Sequence, residues 1–202
     1  MEDGRRRRAG EEMRRFLPAV FGDSPSPKVP TASAADERRL GEMLTGIAGP
    51  AVRVLHDRQI PRSTANIDHL VVCPSGVFVV GAKRYPDARP ELRVESGAAG
   101  SRQELLIVGG RDRTRLVEGI REQVKLVQSV LVDQPDVPVR GVLCLADAEW
   151  PLIGGSFAVR DVAVMWPKKL KALLAESGRL DVGRITDLQW QLHEAFPRQR
   201  EA

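Results

Sequence analysis

Two apolar runs joined by a very short turn constrain this chain more than any other feature. Ile67 to Cys73 leads into Pro74-Ser75-Gly76, and Val77 to Lys83 leads out of it. Runs rich in Val and Ile, bounded by turn residues, read as strands, and a connection this short makes them antiparallel neighbours. Side chains alternate faces along a strand. Gly81 and Lys83 therefore point one way and Ala82 the other, while Asp68 faces away from Ile67 and His69. If Asp68 shares its face with Lys83, a carboxylate and an ammonium converge at one end of the hairpin.

Such a pair has two readings. It can be an ordinary cross-strand Asp–Lys contact. It can also be part of a metal-dependent phosphodiester-cutting site. There a carboxylate holds Mg²⁺ or Mn²⁺, hard cations that take oxygen ligands, and a lysine orients the attacking water or stabilises developing charge. Spacing alone does not separate the two. The position two before the lysine, where a second carboxylate would serve the metal, is Gly81.

The rest of the chain supplies a setting. Residues 1–35 read as a basic, Pro-containing tail, expected to be disordered: Arg5 to Arg8 form a basic block, Glu11 to Val20 is a possible short helix, and three prolines lie between Ser24 and Pro30. A domain is expected over 36–198. The spacing Ser33-Ala34-Ala35-Asp36 predicts a helix start, Leu40, Met43, Leu44 and Ile47 recur at helical spacing, and Gly49-Pro50 ends the helix. Glu42 falls off that apolar stripe. Val52 to His56 is a further strand. A polar, Gly-rich segment, Arg89 to Arg102, precedes another strand, Glu104 to Val108. The periodicity predicts a long helix over Arg113–Val132, with Leu116, Val117, Ile120, Val124, Val127 and Leu131 on one stripe and Arg121, Glu122, Lys125 and Gln128 off it. Strands at Val137–Leu145 and Val162–Trp166 follow, then helices at Pro167–Ser177 and Gly183–Phe196. This order predicts a mixed α/β domain around a central sheet.

These segments together resemble the nuclease-related domain (NERD) family. The residues that carry the resemblance are Gly41-Glu42, Val54-Leu55-His56-Asp57, Ile60-Pro61, Asn66-Ile67-Asp68-His69-Leu70-Val71-Val72, Pro74-Ser75-Gly76-Val77-Phe78-Val79-Val80 and Ala82-Lys83-Arg84-Tyr85. Gln123, Gly141-Val142-Leu143-Cys144 and Trp150-Pro151-Leu152 fit as well, so the likeness covers about residues 36–170. The resemblance implies a restriction-endonuclease-like fold of the PD-(D/E)xK type, a central mixed sheet flanked by helices, acting on DNA. It matches the family's helix carboxylate to Glu42, its strand aspartate to Asp68, its motif lysine to Lys83 and its helix glutamine to Gln123. It implies Mg²⁺ or Mn²⁺ held by Asp68, Glu42 and the Ala82 carbonyl, with Glu42 turned toward the cleft. Gly81 departs from the family, which usually has Asp or Glu there, and Pro86-Asp87 replaces its usual glycine. Either the site is a degenerate hydrolytic one, with Glu91 or Glu95 as a relocated carboxylate, or the domain binds nucleic acid or protein without cutting.

Other chemistries find little support. The net charge of +4 is modest, and residues 1–35 hold seven Lys/Arg against five Asp/Glu, so the domain is nearly balanced. No run approaches the roughly 20 apolar residues that span a bilayer, and the basic N-terminus lacks the apolar core of a signal peptide. No Walker A or Rossmann glycine pattern implies a nucleotide cofactor. Cys73 and Cys144 form no CxxC pair and are expected to be buried reduced thiols of a cytoplasmic protein. His69 should pack on the face opposite Asp68, His56 and His193 stand alone, and Trp150, Trp166 and Trp190 are expected as core or capping residues. Ser63 and Ser75 have no visible His/Asp arrangement around them.

Overall fold

A computed structural model of the chain describes residues 32–96, 102–151 and 155–198; the expected tail up to residue 31 lies outside them. Helix α1 (Ala32–Ile47) comes first. Its backbone is already helical at Ser33, so the Ser33–Asp36 spacing does not mark the start. The helix stops ahead of Gly49, whose N–H and C=O both bond Val52 in a tight turn (2.8 and 3.2 Å).

Strands β1 (Arg53–Gln59), β2 (Asn66–Cys73) and β3 (Gly76–Arg84) then form an antiparallel meander, in which the β2–β3 pair is the expected one. Gly76 closes the β2–β3 turn at φ 133°, and a β-carbon there would sit 2.5 Å from the Pro138 carbonyl oxygen. Only glycine fits that position without a shift of backbone.

The polar segment after β3 holds a strand that the apolar pattern does not mark. β4 (Pro90–Ser96) pairs antiparallel with β5 (Arg102–Val108), and the two-residue β6 (Arg111–Asp112) completes a separate three-stranded sheet. β4 is exposed from Glu91 to Ser96, so its alternation of charged and apolar side chains reflects an edge instead of a core.

Helix α2 (Thr114–Val130) crosses from β3 to the parallel strand β7 (Val139–Ala146). The hairpin β8 (Phe157–Val159) and β9 (Val162–Met165) follows, then helices α3 (Pro167–Leu174) and α4 (Val182–Ala195), the last capped by the Asp181 carboxylate on the Arg184 N–H at 2.8 Å. The central sheet has the order β1-β2-β3-β7-β9-β8, parallel from β3 through β7 to β9 and antiparallel elsewhere. Each face carries its own core. Leu70, Val79, Leu143 and Leu145 pack with Ile120 and Val127 of α2 and Leu188 and Leu192 of α4. On the opposite side Val71, Phe78, Val80 and Val142 pack with Leu40 and Leu44 of α1 and Leu170 and Leu174 of α3. Strands covered on both faces need apolar residues at every position, which is why β3 reads as a continuous run.

Candidate functional site

The sheet opens between β2 and β3. Their ladder runs from Cys73–Gly76 to His69–Val80 and ends there. Beyond that point β2 stays paired to β1 as far as Asn66, and β3 stays paired to β7 as far as Arg84. One further step of the register would set Asp68 opposite Gly81. Instead the Asp68 Oδ2 accepts the Ala82 N–H at 3.1 Å and bridges the opening with its side chain.

Alternation along β3 places Lys83, half-buried, on the face shared by Gly81 and Asp68. That face looks toward α2. There the Gln123 amide donates to the Asn66 carbonyl at 3.1 Å and ties the helix to the start of β2. Asp68 and the Ala82 amide thus meet at the opening, Lys83 shares the face of Asp68, and Gln123 is tied to the start of β2.

Gly81 is filled from outside. A β-carbon at Gly81 would lie 2.6 Å from Ile120 Cδ1 and 3.8 Å from Asp68 Oδ2. Ile120 equally occupies the space above Gly141 of β7, where a β-carbon would meet its Cγ2 at 2.7 Å. The two glycines form a hole in the sheet surface and one isoleucine fills it, which lets α2 lie close to the strands. The apolar stripe already contained Ile120, but nothing in the sequence pointed it at Gly81.

Glu42 takes a different position. It is exposed on α1, which packs on the other face of the sheet. There it lines a cavity of about 690 Å³ with Arg38, Thr45, His56, Asp57, His69 and Arg198. Asp68 is not among the residues that line this cavity.

His56 and His69 are directly opposed in the β1–β2 register, with Nδ1 atoms 2.9 Å apart and rings edge to face. Their tautomers follow from Thr45. Its hydroxyl donates to the Gly41 carbonyl at 2.8 Å, so its oxygen accepts from His56 Nε2–H at 3.1 Å. His56 Nδ1 must then accept from His69 Nδ1–H. The remaining nitrogen, His69 Nε2, is buried and has no hydrogen-bond partner among the described residues. Burial, with His56 beside it, pushes the His69 pKa down to about 3, and burial lowers that of His56 as well. The expected opposition of His69 to Asp68 holds, but His56 does not stand alone. Its partner becomes visible only once the strand register is known.

The remaining candidates are dispersed. Glu91 and Glu95 are exposed on β4, in the separate sheet. Cys73 and Cys144 are buried free thiols, and burial pushes Cys144 up to about 12. Trp150 and Trp166 pack against each other at 5.1 Å. Trp190 is 57% exposed, against the expectation of a core or cap, and meets His193 edge to face. His193 in turn accepts from the buried guanidinium of Arg58 at 2.7 Å.

A hard cation fits poorly around the opening. Asp68 has one carboxylate oxygen already bonded to the Ala82 amide. Glu42 belongs to the other face, and Ile120 fills the space of a ligand at position 81. Among the described residues no three His, Cys, Asp or Glu side chains gather to hold a metal ion.

The element order α1-β1-β2-β3, then α2 and β7, with an aspartate and a lysine at the opening of the β2–β3 pair, defines a restriction-endonuclease-like domain. The family model for the nuclease-related domain (NERD) matches residues 32–146, more than half of the chain, and the chain belongs to that family. Comparison with curated proteins and with solved structures returns no match. Among the described residues no helix is long and apolar enough to cross a membrane.

Proposed function

We propose that this chain is a nuclease-related domain with a degenerate metal site, one that binds DNA without metal-dependent cutting. The observation that carries the reading is Ile120 seated where the side chain of a motif acid at position 81 would begin. Ile120 of α2 occupies the place of the missing side chain. Binding is supported by the family and by the half-buried Lys83, whose ammonium suits a phosphate. A second reading, hydrolysis with Mg²⁺ or Mn²⁺ on Asp68, Glu42 and the Ala82 carbonyl, draws on Asp68 and Lys83 sharing a face.

The test incubates the full chain with plasmid and linear DNA in Mg²⁺, Mn²⁺ or EDTA, beside Asp68→Asn and the pair Gly81→Glu/Ile120→Val. Retarded DNA in EDTA, with no cutting in either metal, is the expected result. Cutting that appears only in the paired variant identifies position 81 as the defect. Metal-dependent cutting by the unaltered chain, lost in Asp68→Asn, establishes the second reading. Absence of any DNA binding overturns both and leaves a protein-interaction domain.

A further inference from the structure

Among the described residues the separate sheet ends in an open strand. β4 is an edge of the order β4-β5-β6, and six of its seven residues are exposed. Its backbone polarity is fixed by the Arg89 carbonyl, which accepts the Gly109 N–H at 3.1 Å. Odd-numbered backbone groups therefore face β5, and alternation leaves the amides of Leu92 and Val94 on the open edge.

The side chains of this strand carry a pattern. Arg89, Glu91, Arg93 and Glu95 alternate in sign at two-residue spacing along one face. Across the strand pair β5 offers Glu91, Arg93 and Glu95 only Ile107, Leu105 and Gln103, none of opposite charge. On the other face Leu92 and Val94 are 40% and 42% exposed, beside the buried Leu106.

Charges on an edge strand ordinarily reject the addition of further strands. Alternating charges reject most strands yet match an inverted copy of themselves. We propose that β4 pairs antiparallel with β4 of a second copy of this chain, about a two-fold axis at Leu92. That axis sets each Glu91 against Arg93 and each Arg89 against Glu95 of the other copy, four opposite-charge pairs in all. The same axis brings the two Leu92 side chains together and lays Val94 beside Pro90. Leu92 exchanges N–H and C=O with its counterpart, and the Val94 N–H reaches the Pro90 carbonyl, while the Val94 carbonyl gets no proline N–H in return. An axis at Arg93 would instead oppose Glu91 to Glu95, and a parallel in-register copy would oppose every like charge. The interface is small, so the dimer is weak and dependent on concentration.

Sedimentation velocity over a concentration series, on the full chain, tests this. Glu91→Arg and Arg93→Glu should each weaken dimerisation roughly ten-fold or more, since each turns two attractive pairs into repulsive ones. The double variant Glu91→Arg/Arg93→Glu should restore it. Both positions are exposed, so an unchanged melting temperature certifies the fold in every variant. A chain that stays monomeric throughout overturns the proposal. So does a dimer that neither reversal weakens, or one that the double variant fails to restore.

Discussion

Asp68 performs a structural task that its motif position did not announce. The ladder between β2 and β3 ends one pair short of it, and its Oδ2 accepts the Ala82 N–H at 3.1 Å. Asp68→Ala should leave that N–H without an acceptor and lower stability by about 1–2 kcal/mol. Asp68→Asn retains an acceptor oxygen and should lose less than half of that in urea denaturation. Equal losses from both variants would show that the bond contributes little, and the asparagine variant is therefore the control for any loss of activity. A residue on the opposite face makes a prediction of opposite character. His69 titrates near 6.5 when unfolded but is pushed down to about 3 by burial beside His56. Between those values the unfolded chain binds the proton and the folded chain does not. Stability should accordingly be complete above the unfolded value and fall with decreasing pH, with a slope approaching about 1.4 kcal/mol per pH unit from this group. The shift of His56 acts in the same direction. His69→Gln should flatten the stability profile across that window; a slope unchanged by the substitution would show that the histidine is not the source.

The fit of α2 onto the sheet turns on Ile120. Gly81→Ala places a methyl 2.6 Å from Ile120 Cδ1, and overpacking of that kind costs about 1–3 kcal/mol. Ile120→Val removes the offending methyl and by itself costs about 0.5–1.5 kcal/mol. The two together should be more stable than the sum of the single losses, a coupling that thermal or urea unfolding reads directly. Simple additivity would mean that the helix yields freely and that Gly81 is not shaped by Ile120. At this scale the sequence was largely legible. The strands β2, β3 and β7 announce themselves as continuous apolar runs and the long helix by its apolar stripe. β4, β6 and β8 escaped because β4 is exposed on both faces, and Arg111–Asp112 and Phe157–Val159 are only two and three residues long. Glycine 81 was legible as an absent acid but not as a packing hole, because the contact that fills it comes from a helix about 40 residues further along the sequence.

For the whole molecule the governing fact is one sheet with two covered faces. The position of Glu42 follows from it. Sequence spacing showed that this glutamate leaves the apolar stripe of α1, but which face of the sheet α1 covers is a property of the assembled fold. α1 packs with the Val71, Phe78 and Val80 side, and Asp68 opens on the α2 side. Charge is also a matter of the whole. The chain carries a net +4, and residues 1–35, with seven Lys/Arg against five Asp/Glu, hold half of that excess. A nearly balanced domain has little long-range attraction for a polyanion, so binding at the opening must depend on a few close contacts. Each phosphate contact neutralised by a cation contributes about one unit to the slope of log affinity against log salt. Lys83→Ala should therefore lower DNA affinity evenly across sequences and reduce that slope by about one. Deleting residues 1–31 should reduce the slope only if the basic block Arg5–Arg8 contacts the phosphates too. Fluorescence anisotropy with one labelled duplex, titrated at several salt concentrations, resolves the two contributions. If the slope drops on deleting 1–31 and is indifferent to Lys83→Ala, DNA is held by the tail, and the opening between β2 and β3 is not its binding site.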